Sequence, residues 1–298
     1  MFPIIPANSA TAASGNQEGI FGYGSGYASM TNLVSNAGVV ASDTAGVGTG
    51  RFNPAACEYG GDKGIFGFGY IYPSSYLGMT NLVSNAGVVA SDVAAVGTAR
   101  DGLAACEYGE DKGIFGFGRP YSSDVSTTNL VSNAGVVATD TTGVGTSRHG
   151  IGACEYGGDK GIFGYGAPSF VSITNLVSNA GVVASDQAAT TGTGRGYIAA
   201  CSYGEDKGIF GYGQTASSKQ AVTNLVSNAG VVASDQATVT GTARRLLAAC
   251  EYGSDKGIFG YGDAGSGCTN LVSNTGVVAS DVAGVGTSRT ELAACSFN

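Results

Sequence analysis

Apolar positions in this chain come in short runs, four to each stretch of roughly fifty residues, with glycine-rich breaks between them. One stretch reads Ala-Ala-Cys-Glu-Tyr (55–59), Gly-Ile-Phe-Gly-Phe-Gly (64–69), Asn-Leu-Val-Ser (81–84) and Val-Val-Ala-Ser (88–91). A helix would show an apolar stripe at every third to fourth residue, and these runs do not. Glycine recurs within each Gly-Ile-Phe-Gly block and β-branched residues fill much of the rest; both disfavour helix. Nearly continuous apolar runs of this length predict strands buried on both faces. Two hairpins per stretch follow. The first closes on a tight Gly-Gly-Asp connection. The second closes on Asn-Ala-Gly, whose glycine stands where the turn needs a left-handed residue.

The stretches are copies of one another. Thr-Asn-Leu-Val-Ser-Asn begins at Thr31, Thr80, Thr128, Thr174, Thr223 and Thr269, and Gly-Ile-Phe-Gly at Gly19, Gly64, Gly113, Gly161, Gly208 and Gly257. Four-stranded units of this period, repeated six times, predict an all-β, six-bladed β-propeller over residues 19–298, with residues 1–18 as a docking arm. The first unit lacks its Ala-Ala-Cys strand, and the last ends on Ala293-Ala294-Cys295-Ser296-Phe297. The two fragments add to one unit, as expected if the C-terminal strand closes the first blade and removes a free edge.

Composition narrows the function. Net charge is −8 and the pI about 4.5, which counts against a nucleic-acid partner, since such binding is driven by Lys and Arg. No apolar run reaches the length of a membrane-spanning helix, so no membrane insertion is expected. The start of the chain, with Pro3 and Pro6 and no basic region, fits a signal peptide poorly. Seven cysteines, six of them one per repeat, read as reduced thiols made in a cytosol.

The order Arg100-Asp101-Gly102-Leu103-Ala104-Ala105 through Gly113-Ile114-Phe115-Gly116-Phe117-Gly118 resembles the kelch repeat. The resemblance covers residues 19–298, with two departures: the kelch double glycine is Gly-aromatic-Gly here, and tryptophan is absent. The near-identity of the copies is similar to repeat arrays in virion proteins of marine bacteriophages, tail-fibre or capsid-associated. These resemblances imply a non-enzymatic structural or attachment protein of a virion, assembled in the host cytoplasm. Its partners would be other virion proteins, copies of itself in a larger assembly, or a host-surface glycan or protein. The alternatives are an adhesin at a cell surface or outside the cell, and a kelch-like enzyme or intracellular adaptor.

The kelch resemblance also implies the strand order within a blade and places the hairpin turns on one nearly invariant rim. The remaining connections, which carry the variation, fall on the other rim. Loops that vary on a fixed scaffold are the candidate recognition surface. It holds Tyr70, Tyr72, Tyr76, Arg119, Tyr121, His149, Phe170, Lys219 and Arg245. At the arm, Phe2, Pro3, Ile4, Ile5 and Pro6 form a short apolar segment suited to a partner groove.

Chemistry is tested and set aside. His149 is the single histidine, without a second signal for a hydrolytic triad, so no catalytic residue is assigned. No local cysteine or histidine pair suits zinc and no Ca²⁺-loop pattern occurs, so no metal is expected. Gly-x-Gly lacks the following helix that a dinucleotide fingerprint needs, so no cofactor is expected. The repeated cysteines read as small buried hydrophobes, and Cys268, off the pattern in a loop, as a bystander thiol. Asp43, Asp92, Asp140, Asp186, Asp235 and Asp281 each precede a repeated arginine by eight or nine residues, which suggests ion pairs or turn hydrogen bonds in every blade.

Overall fold

Each Gly-Ile-Phe-Gly block becomes the middle strand of a three-stranded antiparallel sheet, buried on both faces. The computed structural model describes residues 17–297 apart from 27, 74, 95, 188–191, 237–240 and 264–266. The apolar segment Phe2, Pro3, Ile4, Ile5 and Pro6 lies outside the described residues. The strands are β1 (Glu18–Gly22), β2 (Thr31–Val34), β3 (Ala55–Tyr59), β4 (Lys63–Ile71), β5 (Ser75–Val83) and β6 (Ala104–Tyr108). Then come β7 (Lys112–Gly116), β8 (Thr128–Val131), β9 (Gly152–Tyr156), β10 (Lys160–Gly166), β11 (Val171–Val177) and β12 (Ala199–Tyr203). The last are β13 (Lys207–Gly211), β14 (Thr223–Val226), β15 (Ala248–Tyr252), β16 (Lys256–Gly260), β17 (Thr269–Val272) and β18 (Ala293–Phe297). They form six sheets, β18-β1-β2, β3-β4-β5, β6-β7-β8, β9-β10-β11, β12-β13-β14 and β15-β16-β17, with no helix among the described residues.

The C-terminal strand completes the first sheet: β18 pairs with β1, Phe297 opposite Glu18 and Ala293 opposite Gly22. The Ala-Ala-Cys strands touch in the order β3, β6, β9, β12, β15, β18 and back to β3, a propeller-like circuit. One backbone bond recurs at each junction, from Gly24 N to Arg51 O (3.0 Å) through Gly262 N to Arg289 O (3.1 Å).

The repeated glycines and cysteines explain each other. A Cβ on Gly64 would lie 2.5 Å from Cys295 Sγ of the preceding sheet, and one on Gly67 2.7 Å from the Phe115 ring of the following sheet. The cysteine and the phenylalanine fill the space the missing side chains leave, which sets how closely the sheets stack. All seven cysteines are free and buried, Cys268 included at 4% exposure. Burial pushes the Cys57 and Cys106 thiols well above their ordinary range.

One expectation fails. The fourth segment of each repeat is not a regular strand. It is held by isolated bridges such as Val34 with Val40 and Thr31 with Thr44. The register slips by one residue between them, because the Asn32 side chain takes the position of a ladder partner. Its Nδ2 donates to Ala41 O at 3.0 Å and to Asp43 Oδ1 at 2.9 Å. An extra residue opposite Asn32 splits the ladder as a bulge does. The Asn-Ala-Gly turn forms as expected, with Gly38 at φ 75° and its N–H donating to Ser35 O.

Candidate functional site

The repeated polar residues belong to the junctions between sheets. Arg100 is fully buried, its guanidinium 4.3 Å from the centre of the Phe68 ring of the preceding sheet. It donates from Nε to Phe117 O (2.7 Å), from Nη1 to Thr98 O (3.0 Å) and from Nη2 to Asn129 Oδ1 (2.7 Å). Asn129 in turn donates to Asp140 Oδ1 at 2.8 Å, and Thr98 donates to the same carboxylate from N and Oγ1. The ring contact and the Nη2 bond to asparagine recur at all six arginines, and the Nε bond to a carbonyl at Arg148, Arg195 and Arg289 as well, whereas the Nε of Arg51 and of Arg244 has no hydrogen-bond partner among the described residues. The repeated aspartate therefore serves the Thr and Arg one repeat earlier rather than the arginine eight or nine residues downstream. Asp235 lies 3.6 Å from Arg195, and Asp281 3.6 Å from Arg244. Burial lowers the Arg100 and Arg148 pKa to about 10, which leaves both charged at neutral pH. Burial raises Asp140, but hydrogen bonds from Thr98 and Asn129 outweigh it and hold the carboxyl below its usual range.

The variable connections gather at the opposite end from the Gly-Gly-Asp turns. The β4–β5 hairpin is drawn out past a bulge between Gly67 and Gly69, so Tyr70 pairs with Tyr76 and the two rings lie 5.0 Å apart. Tyr121 reaches Tyr76 edge-on at 6.4 Å. Tyr72, at the hairpin tip, is 67% exposed and Tyr121 80%. Tyr70, Tyr76 and Tyr121 thus form one aromatic patch, and Tyr72 is exposed at the tip of the same hairpin as Tyr70 and Tyr76. Phe170 is half-buried at the β10–β11 turn with φ 47° and belongs to no ring cluster among the described residues.

The charged candidates form a second group. His149 is 5% exposed, its Nδ1 2.9 Å from Asp124 Oδ1 and its Nε2 3.1 Å from the Tyr197 hydroxyl. Arg245 lies 5.9 Å from the Tyr197 ring and donates to Asp263 Oδ2 (3.0 Å) and Gln214 Oε1. Lys219 pairs with the same Asp263 at 3.0 Å, and Arg119 faces Asp101 at 3.9 Å. Asp101, Asp124 and Glu291 were not singled out as site residues from sequence. For Asp101 and Glu291 the signal was position, one and two residues past a repeated arginine, where the copies diverge; Asp124 lies in the β7–β8 connection and carried none.

The inner strands face an axial channel whose narrow part is lined by alanines such as Ala56 and Ala105. At the Gly-Gly-Asp end it opens into a cavity of about 270 Å³ walled by Glu58, Glu107, Glu155 and Glu251, with Ser296 beside them. Burial raises the Glu155 pKa to about 7, with the Glu58 charge adding to it, and raises Glu107 and Glu251 for the same reasons. This acidic ring was not foreseen, although a Glu in the fourth place of an otherwise small and apolar inner strand marked it. Among the described residues no group of His, Cys, Asp and Glu has the geometry to hold a metal ion, and no helix is long and apolar enough to cross a membrane.

No protein family matches the chain, and no curated protein matches it in sequence.

Proposed function

We propose that the chain is a six-bladed, kelch-like propeller that works as a non-enzymatic binding module, presenting its variable rim to a glycan on a host or partner surface. The observation that carries this reading is the tyrosine patch. The β4–β5 hairpin holds Tyr72 in solvent near the paired Tyr70 and Tyr76, and the β7–β8 connection brings exposed Tyr121 edge-on to Tyr76, on the end where the repeats diverge. Exposed aromatic faces on a fixed frame suit stacking against sugar rings and lose little entropy on binding. Arg119 and Lys219 add exposed cations at the same rim.

The setting we infer is the attachment apparatus of a bacteriophage particle, from the style of the near-identical repeats, with the segment Phe2 to Pro6 as the anchor to other virion proteins. A glycan array tests the binding reading: wild-type signal that falls at least tenfold in Tyr72→Ala and Tyr121→Ala supports it. An array that stays blank with folded protein overturns it. Deleting residues 2–12 tests the anchor, and unchanged incorporation into particles would dismiss it.

A further inference from the structure

The outer edges of the six sheets are not alike. The residue bridged to the repeated threonine is Thr44, Val93, Thr141, Gln187, Gln236 and Val282 in turn, so it is apolar in the second and sixth sheets and polar in the other four. Beside Val282 a groove of about 240 Å³ separates the sixth sheet from the Asn-Ala-Gly turn of the first. Leu271, Val282 and Val285 line it from the sixth sheet, Gly38, Val39 and Val40 from the first, and no charged side chain borders it. Val39 is 65% exposed and Val282 50%, so the groove leaves apolar surface in water. Its volume exceeds the roughly 150 Å³ that admits benzene, which is room for an aromatic ring with a branched side chain beside it.

The chain enters the fold at this same junction. Gln17 O accepts the Gly253 N–H at 2.8 Å, as Asp111, Asp159, Asp206 and Asp255 accept the matching glycine N–H in other sheets. The adjacent Tyr252 carries its ring beneath Gly38, where a Cβ would lie 2.8 Å from it. Entry point and groove therefore touch neighbouring residues of one turn. Ten residues, 7–16, separate Gln17 from the apolar segment 2–6, and fully extended they reach about 35 Å. A tether this short holds its end at a roughly millimolar effective concentration, so even a weakly held segment occupies the groove. The groove beside Val93 lies two junctions further round the circuit. Residues 1–17 carry no charged side chain, which suits a site without a counter-charge. Pro3 and Pro6 bias Phe2 and Ile5 toward extended backbone, so the segment loses less entropy on binding.

We propose that residues 2–6 of the same chain occupy this groove, filled by Phe2 and Ile4, which share one face of an extended segment. The proposal concerns the free chain and does not rest on the anchor reading, whose test is incorporation into particles. Valine-methyl NMR of Ala7→Cys carrying a nitroxide tests it, the seven native thiols being buried. Broadening at Val39 and Val285 is expected to exceed that at Val93 and Val136, beside the other apolar groove, at least fivefold. Phe2→Ser should reduce it at least threefold. So should Val282→Gln, which installs the residue that the fourth and fifth sheets carry at that place and so keeps the fold. A mixture of nitroxide-bearing chain and separately isotope-labelled chain should show none. Equal broadening at both grooves, none at Val39 and Val285, full broadening in either variant, or broadening in the mixture, which would make a second copy the occupant, overturns the proposal.

Discussion

Asp43 accepts hydrogen bonds from Thr287, a residue 244 positions away, at 2.7 Å from Oγ1 and 2.9 Å from the backbone N–H. The same bonds join Thr98 to Asp140 and Thr146 to Asp186 inside the array. The junction between the last sheet and the first is therefore built like every other. The Thr287 hydrogen bond is the main reason the Asp43 carboxyl lies below its ordinary range.

Removing either hydroxyl should then cost the same. Thr287→Val and Thr98→Val are each expected to lower stability by about 1–2 kcal/mol, the worth of a hydrogen bond to a partly exposed carboxylate. Urea denaturation of both variants measures it. A cost for Thr98→Val with none for Thr287→Val would mean that the closing junction bears no load.

The buried arginines are a stricter case, because each satisfies groups in two sheets at once. Arg100→Lys is expected to destabilise by about 3 kcal/mol or more, since an ammonium cannot reach Phe117 O, Thr98 O and Asn129 Oδ1 together while lying flat on Phe68. Thermal unfolding should show Arg100→Lys little better than Arg100→Met. Near-complete rescue by lysine would show that charge alone matters there.

Much of this architecture was legible in the sequence, because apolar run length, glycine placement and the split first repeat are local signals that packing amplified. The turn at Gly38 and the completion of the first sheet by the C-terminal strand were read directly from them. The partner of Asp140 was not, because Thr98 lies 42 residues away and no spacing rule reaches across a sheet junction. Burial of His149 was missed for a related reason. Asp124 and Tyr197 come from other connections, and only the fold brings them to its two ring nitrogens. The fourth strand was overread because Val-Val-Ala has the right composition, and the Asn32 side chain, not hydropathy, breaks its ladder.

The glycine–cysteine fit between sheets predicts a size swap. Gly64→Ala places a methyl group 2.5 Å from Cys295 Sγ and is expected to cost about 1–3 kcal/mol through overpacking. Cys295→Ala alone leaves a small void. Together the two changes should cost at least 1 kcal/mol less than their sum, because the methyl occupies the space the sulfur vacates. Equilibrium unfolding of the four proteins closes this cycle, and strict additivity would mean that the two sheets move apart to absorb the change.

The acidic end of the channel predicts an unusual pH dependence. Glu155 titrates at about 7 in the folded protein against 4.5 for an ordinary glutamate, and Glu107 and Glu251 move the same way. The folded state thus holds protons that the unfolded state releases, so stability falls as pH rises through this range. The junction aspartates act in the opposite sense. Their lowered pKa values stabilise the fold at neutral pH, and that contribution is lost only as pH drops below the ordinary carboxylate range. The two trends place the maximum near pH 4 to 5 by this linkage argument, roughly two to three units on the acid side of neutrality. Calorimetric Tm should therefore be higher at pH 5.5 than at pH 8. Glu155→Gln and Glu107→Gln should each raise Tm at pH 8 and flatten the slope, since an amide brings no charge into the ring. A wild-type Tm that climbs from pH 5.5 to 8, or glutamine variants that lower it at pH 8, would show that the four glutamates do not repel one another across the channel.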